Sequence, residues 1–132
     1  MTSPSSARER ARLALSRPDL LREACLVGGR WVGGASLPVF NPATGAELGR
    51  VPELGAAEAE QAVAAAAAAL PAWRAATART RADVLRRWFE LILRHQEDLA
   101  RLLTAEQGKP LAEARAEAAY AASFVEWFGE EA

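Results

Sequence analysis

Hydrophobic positions follow two regimes along this chain. Between residues 24 and 52 they come in short runs punctuated by glycine and proline; beyond residue 55 they recur at helical steps. In the first regime Leu26, Val27, Trp31 and Val32 are strand formers around Gly28-Gly29, a pair suited to a two-residue hairpin turn that needs positive φ. Val39-Phe40 and residues 48–51 predict a second pair of strands, separated by the turn residues Asn41, Pro42 and Gly45. Two such hairpins cannot stand alone in water, so they must lie on the helices that follow or on other protein.

The second regime predicts four helices. An alanine-rich stretch after Gly55, with Glu58, Glu60 and Gln61 near its start, forms a helix up to Pro71, and Pro71-Ala72-Trp73 is expected to break it. Trp73 is then a wedge between helices. Residues 80–94 give the clearest amphipathic pattern, with Val84, Leu85, Trp88, Phe89 and Ile92 on one side. Arg86, Arg87 and Arg94 interleave with Asp83 and Glu90, which fits a solvated face better than a phosphate site. His95 marks a helix junction, and residues 98–107 continue with Leu99, Leu102 and Leu103 inward. Gly108 suits a left-handed helix end and Pro110 the first turn of the next helix.

The last helix, from Leu111, changes character along its length. Glu113, Arg115 and Glu117 make its first half polar. Ala118, Ala121, Val125 and Phe128 then form one apolar face, and Tyr120, Phe124 and Trp127 form a second stripe. Gly129 offers a place for the helix to stop. A helix apolar on nearly every side belongs inside a larger protein. The residues therefore predict either a piece of a larger protein or a partner-binding piece.

Composition narrows the function classes. The 132 residues are 51% hydrophobic and 25% charged, values of an ordinary soluble domain. A formal net charge of -1 gives no global pull toward nucleic acid or an anionic membrane, and no apolar run reaches the roughly 18 residues of a membrane helix. One Cys and one His allow neither an intrachain disulfide nor a closed structural zinc site, and the lack of a cystine framework favours a reducing, cytoplasmic setting. Residues 1–19 are rich in Ser and Arg and are expected to be a flexible extension. The arginines interrupt any secretory apolar core, while an organelle transit peptide stays open as a reading.

Chemical motifs are sparse. Gly28-Gly29 and Gly33-Gly34 give neither G-x-G-x-x-G nor a P-loop. Glu113 and Glu117 lie one turn apart but flank Arg115 and are expected to be exposed. Cys25 has no neighbouring His or helix start to activate it and is expected to act as a small buried hydrophobe. The residues yield no catalytic, cofactor-binding or metal-ligating set.

The ordered runs LVGGRWVGG, VFNPATGAELGRVP, ALPAWRA, HQEDLARLLTAEQGKPLAEARAE and YAASFVEWF resemble the start of the aldehyde dehydrogenases. TAEQGKPLAEA followed by YAASFVEWF is most similar to the succinate-semialdehyde dehydrogenase group. The resemblance covers residues 20–132. It implies an α+β piece, mostly helical with short N-terminal β-hairpins, belonging to the α/β Rossmann-like cofactor domain of an enzyme several times longer. Such an enzyme uses NAD or NADP, oxidises a small-molecule aldehyde such as succinate semialdehyde, and commonly forms homo-oligomers. Its nucleophilic cysteine and its glutamate base lie beyond this segment, and Cys25 matches neither, so these residues alone are expected to be inactive. The resemblance places Tyr120, and Phe124 one turn on, at the wall of the substrate tunnel; plain core aromatics are the competing reading. From another class comes a stand-alone helical module binding a partner through Tyr120, Phe124 and Trp127.

Overall fold

The computed structural model describes residues 13–132. The predicted mostly helical arrangement with two leading hairpins is what forms. Strands β1 (Cys25–Val27) and β2 (Arg30–Val32) pair antiparallel with Leu26 opposite Trp31. Gly28 and Gly29 turn the chain at φ 56° and 77°, values that L side chains resist, which is why two glycines sit there. The Trp31 ring is covered by the Arg22 guanidinium, 4.8 Å from the ring centroid.

Strands β3 (Ala35–Phe40) and β4 (Glu47–Pro52) form a longer hairpin than expected, with register irregularities between Ala35 and Leu37 and between Val39 and Phe40. Its turn is closed by Asn41: Oδ1 accepts from the Ala43 amide at 2.9 Å and its carbonyl from the Gly45 amide at 2.8 Å. The two hairpins are separate two-stranded sheets. Leu48 of β4 is the largest fully buried side chain among the described residues and packs with Leu13 and Ala105; Leu15, Leu21, Val39 and Leu102 surround them.

Helix α1 spans Ala56–Ala75. Glu58 reaches back to accept the Gly55 amide at 2.9 Å, half of a capping box. The expected break at Pro71 does not occur; the helix runs one further turn. Proline there deprives only the Ala67 carbonyl of its partner, and Ala67 is exposed, so water can replace it. Because the corner comes later, at Ala76-Thr77, Trp73 is not a wedge but stands 41% exposed.

Helix α2 (Ala78–Arg94) starts at Thr77, whose hydroxyl accepts the Thr80 amide at 3.1 Å. His95 is the single residue between it and α3 (Gln96–Gln107), and Gly108 at φ 75° closes α3. Helix α4 (Leu111–Glu130) continues through Gly129 and packs on both α2 and α3. Its buried residues are Ala114, Ala118 and Ala122, an i, i+4 stripe. Ala121 and Phe128, expected on the inner face, point outward, and Val125 is half-buried. Small side chains let α4 approach closely; an aromatic in the stripe would hold the helices apart. At the far end a Cβ on Gly129 would meet the Leu85 Cβ at 3.4 Å.

Candidate functional site

The chemistry of this chain gathers at the α3–α4 corner and along the outer face of α4. Gly108 fits its place for two reasons. Its φ of 75° is left-handed, and an added Cβ would stand 3.1 Å from the Pro42 ring of the β3–β4 turn. The Gly108 amide donates to the Thr104 carbonyl at 2.8 Å. Beyond it Lys109 pairs with Glu117 across the first turns of α4. Glu117 is thereby occupied and Glu113 is exposed, so the two form no acid–base pair.

Two carboxylates at the start of α3 make long-range ties, Glu97 to α4 and Asp98 to the segment ahead of the first strand. Glu97 accepts from Arg115 Nε at 2.7 Å and Nη2 at 3.0 Å, and from Arg101 Nε at 3.0 Å. The Arg115 bond first and the Arg101 bond second hold its carboxyl at a pKa of about 2. Gln96 adds a bond from Nε2 to the Arg115 carbonyl at 2.8 Å. Asp98 is buried, yet three donors compensate it: the Ser16 hydroxyl at 2.6 Å and the Ser16 and Arg17 amides at 2.9 Å each. The hydroxyl bond leads in pulling its pKa below the ordinary aspartate value, against the opposing effect of burial. Sequence reasoning missed Asp98, because an acid in a first helical turn already has a local explanation and its donors lie 81 and 82 positions away.

Of the residues singled out from sequence, Tyr120 and Phe124 are brought together. Their rings meet edge to face with centroids 4.8 Å apart and planes at 72°. Both are exposed, Tyr120 at 65% and Phe124 at 48%, as are Trp127 and Phe128 at 62% and 61%. With Ser123 and Glu130 they line an open groove of about 630 Å³. Two of its polar groups are engaged: the Ser123 hydroxyl donates to the Tyr120 carbonyl at 2.7 Å, and Glu130 pairs with Arg86 at 2.7 Å; Glu126 also lines it. The expected pairing of Arg86 within its own helix gives way to this link to α4. The groove is largely apolar, with Ser123, Glu126 and Glu130 as its polar lining. Cys25, expected to be a small buried hydrophobe, opens β1 and is half-buried.

An anion has no prepared cradle among the described residues. The start of α1 is taken by Glu58 and that of α2 by Thr77. Helix α3 begins with Glu97 and Asp98, and α4 follows Pro110, which has no N–H to give, and carries Glu113 in its first turn. No group of three or more His, Cys, Asp or Glu among these residues could hold a metal, and no helix among them is long and apolar enough to cross a membrane.

Comparison with known proteins matches residues 31–132 to the aldehyde dehydrogenase family. The chain is 58% identical over 123 residues to glutarate-semialdehyde dehydrogenase of Pseudomonas aeruginosa, covering 91% of this chain and 26% of that protein. It is 54% identical over 122 residues to succinate-semialdehyde dehydrogenase [NADP(+)] of Escherichia coli, covering 90% of this chain and 25% of that protein. The crystal structure of an E. coli NADP dependent enzyme superposes with a TM-score of 0.86 at 55% identity, over 89% of this chain and 25% of the other. The chain thus spans about a quarter of the length of the curated relatives it matches.

Proposed function

The chain belongs to the aldehyde dehydrogenase family, and on that premise we propose that it serves as the N-terminal part of an NAD(P)-dependent semialdehyde dehydrogenase. The reaction is oxidation of succinate semialdehyde, or a similar semialdehyde, to the carboxylate. The observation that carries this reading is the high identity, along nearly the whole chain, to enzymes named for succinate and glutarate semialdehydes. Those two aldehydes share a carboxylate at the end remote from the reacting carbon. That common feature makes an acidic semialdehyde the substrate class.

In this proposal the described residues supply scaffold and wall. They offer a dinucleotide no phosphate cradle, so NAD or NADP is held by other residues of the enzyme. Residues 20–132 are the first part of the cofactor-binding domain; of the extension expected over residues 1–19, residues 13–17 are anchored on α3 and residues 1–12 lie outside the described residues. Tyr120 and Phe124 form part of the wall along which the aldehyde passes, and their edge-to-face pair fixes the shape of that wall. The single free cysteine suits a cytoplasmic enzyme, and a homo-oligomer completes the proposal. A stand-alone binding module gains no support from the relatives. The exposed aromatic face equally suits contact with the rest of an enzyme.

The test is formation of reduced nicotinamide by the protein that carries this chain, with succinate semialdehyde, glutarate semialdehyde and butanal, each with NAD and NADP. We expect an acidic semialdehyde to exceed butanal in kcat/KM by about tenfold or more. Tyr120→Ala and Phe124→Ala should raise the aldehyde KM severalfold and leave the cofactor KM alone. Absence of aldehyde-dependent reduction with every pair would sink the proposal, and unchanged KM values would remove the two aromatics from the wall.

A further inference from the structure

The segment ahead of the first strand is held by more polar chemistry than a chain extension needs. Leu13 is buried against Leu48 and Ala105. Ala14 has a φ of 47°, in the left-handed region that a non-glycine residue keeps only when its surroundings dictate it. Arg101 Nη1 donates to the Leu13 carbonyl at 3.2 Å and reaches the Ala14 carbonyl at 3.5 Å. Asp98, one turn earlier on α3, accepts the Ser16 amide, the Ser16 hydroxyl and the Arg17 amide. A cation therefore grips the segment's carbonyls and an anion its amides, with a leucine seated between them. Main-chain donors and acceptors are each matched to a side chain of opposite character, so the segment is held through its backbone.

We propose that residues 13–17 are a strap seated in a receiving groove made by α3 and the β3–β4 hairpin, with Asp98 and Arg101 as its positioning residues, and that the seated strap steadies the Gly108 corner. The link to the corner is steric. Leu13, Asn41, Thr104, Ala105, Gly108 and Leu111 line one continuous hollow of about 410 Å³. The β3–β4 turn also sets Pro42 against Gly108. Leu13 bridges Leu48 of the hairpin and Ala105 of α3, so removing it loosens the seating of the hairpin that carries Pro42 on the helix that ends at Gly108. The strap thus acts on the direction in which α4 leaves α3. This inference does not depend on the enzymatic reading.

Amide hydrogen exchange resolved by residue on the full chain tests it. In the unaltered protein the Ser16 and Arg17 amides should exchange at least tenfold more slowly than in an unstructured peptide. Asp98→Asn should speed both by tenfold or more and the Gly108 amide severalfold, with the middle of α2 unchanged. Ser16→Asp sets a second carboxylate against Asp98 without altering α3 and should give the same three changes. It decides the matter if Asp98→Asn loosens the whole helical layer. Rapid exchange of Ser16 and Arg17 in the unaltered protein overturns the strap. So does Ser16→Asp leaving those amides protected. Faster strap exchange with Gly108 unmoved overturns its hold on the corner.

Discussion

Thr104 and Gly108 sit one turn apart and show opposite relations between side chain and surroundings. The Thr104 hydroxyl is shut away from solvent without a hydrogen-bond partner among the described residues. A buried oxygen of this kind costs about 1 kcal/mol or more, and Thr104→Val removes it while keeping the branched shape. We expect the variant to unfold at higher urea concentration, by about 1 kcal/mol in the extrapolated free energy; a lower midpoint would show that the hydroxyl has a partner in solution. Gly108→Ala runs the other way. A Cβ at φ 75° is strained and would press the Pro42 ring at 3.1 Å, so a loss of about 1–2 kcal/mol is expected in the same titration. Gly34→Ala is the control, because nothing lies within 4 Å of an added Cβ and the backbone is not left-handed. Gly108 was legible in the sequence because left-handed helix ends are a local matter. Thr104 was not, because solvent exclusion depends on how separate segments close over it.

The pairing of α3 with α4 rests on alanine contacts inside and on the Glu97 ion pairs outside, and the two respond differently to acid. Glu97 has a folded pKa of about 2 against an ordinary 4.5, set by Arg115 and then Arg101. Its protonation is therefore favoured by unfolding, and the stability it lends is present above about pH 4.5 and lost as pH falls toward 2. Asp98, also lowered, adds loss in the same direction. Thermal melts across that window should fall steeply in the unaltered protein. Glu97→Gln should flatten the fall and remove most of its salt dependence, since the Glu97 pairs are solvent-exposed and screened. Asp98→Asn should flatten it with little change in salt response, because its donors are neutral or backbone groups. Equal salt dependence in both variants would refute this division. The hairpins and most helix limits were readable from turn glycines and hydrophobic period alone. Periodicity misplaces the α4 inner face because size, not hydrophobicity, selects Ala114, Ala118 and Ala122 for a close helix contact. The same blindness to context puts a break at Pro71, where an exposed carbonyl makes proline tolerable.

The whole molecule keeps its largest apolar side chains on the outside. Tyr120, Phe124, Trp127 and Phe128 stand along α4, Leu70 and Trp73 along α1, and Trp88 and Leu91 along α2, all exposed, while the buried side chains among the described residues are mostly alanine. Burial of alanine yields little hydrophobic free energy, so the layer holds its shape by close helix contact and by ion pairs rather than by a large core. A surface of this kind is unfavourable in water unless another surface covers it. The aromatic stripe on α4 could be read from sequence because aromatic periodicity is visible in a single helix, whereas a reaction centre needs groups converging from several. The consequence is measurable in two settings. Sedimentation of the 132-residue chain alone should show concentration-dependent self-association, which the double variant Trp127→Gln, Phe128→Gln weakens markedly. In a protein of the relatives' length the same pair should be covered, and the double variant should destabilise it by several kcal/mol through loss of two buried aromatics. A chain that sediments as a monomer at every concentration, with the longer protein indifferent to the substitutions, would mean that the aromatic face is meant for water or for a small ligand alone.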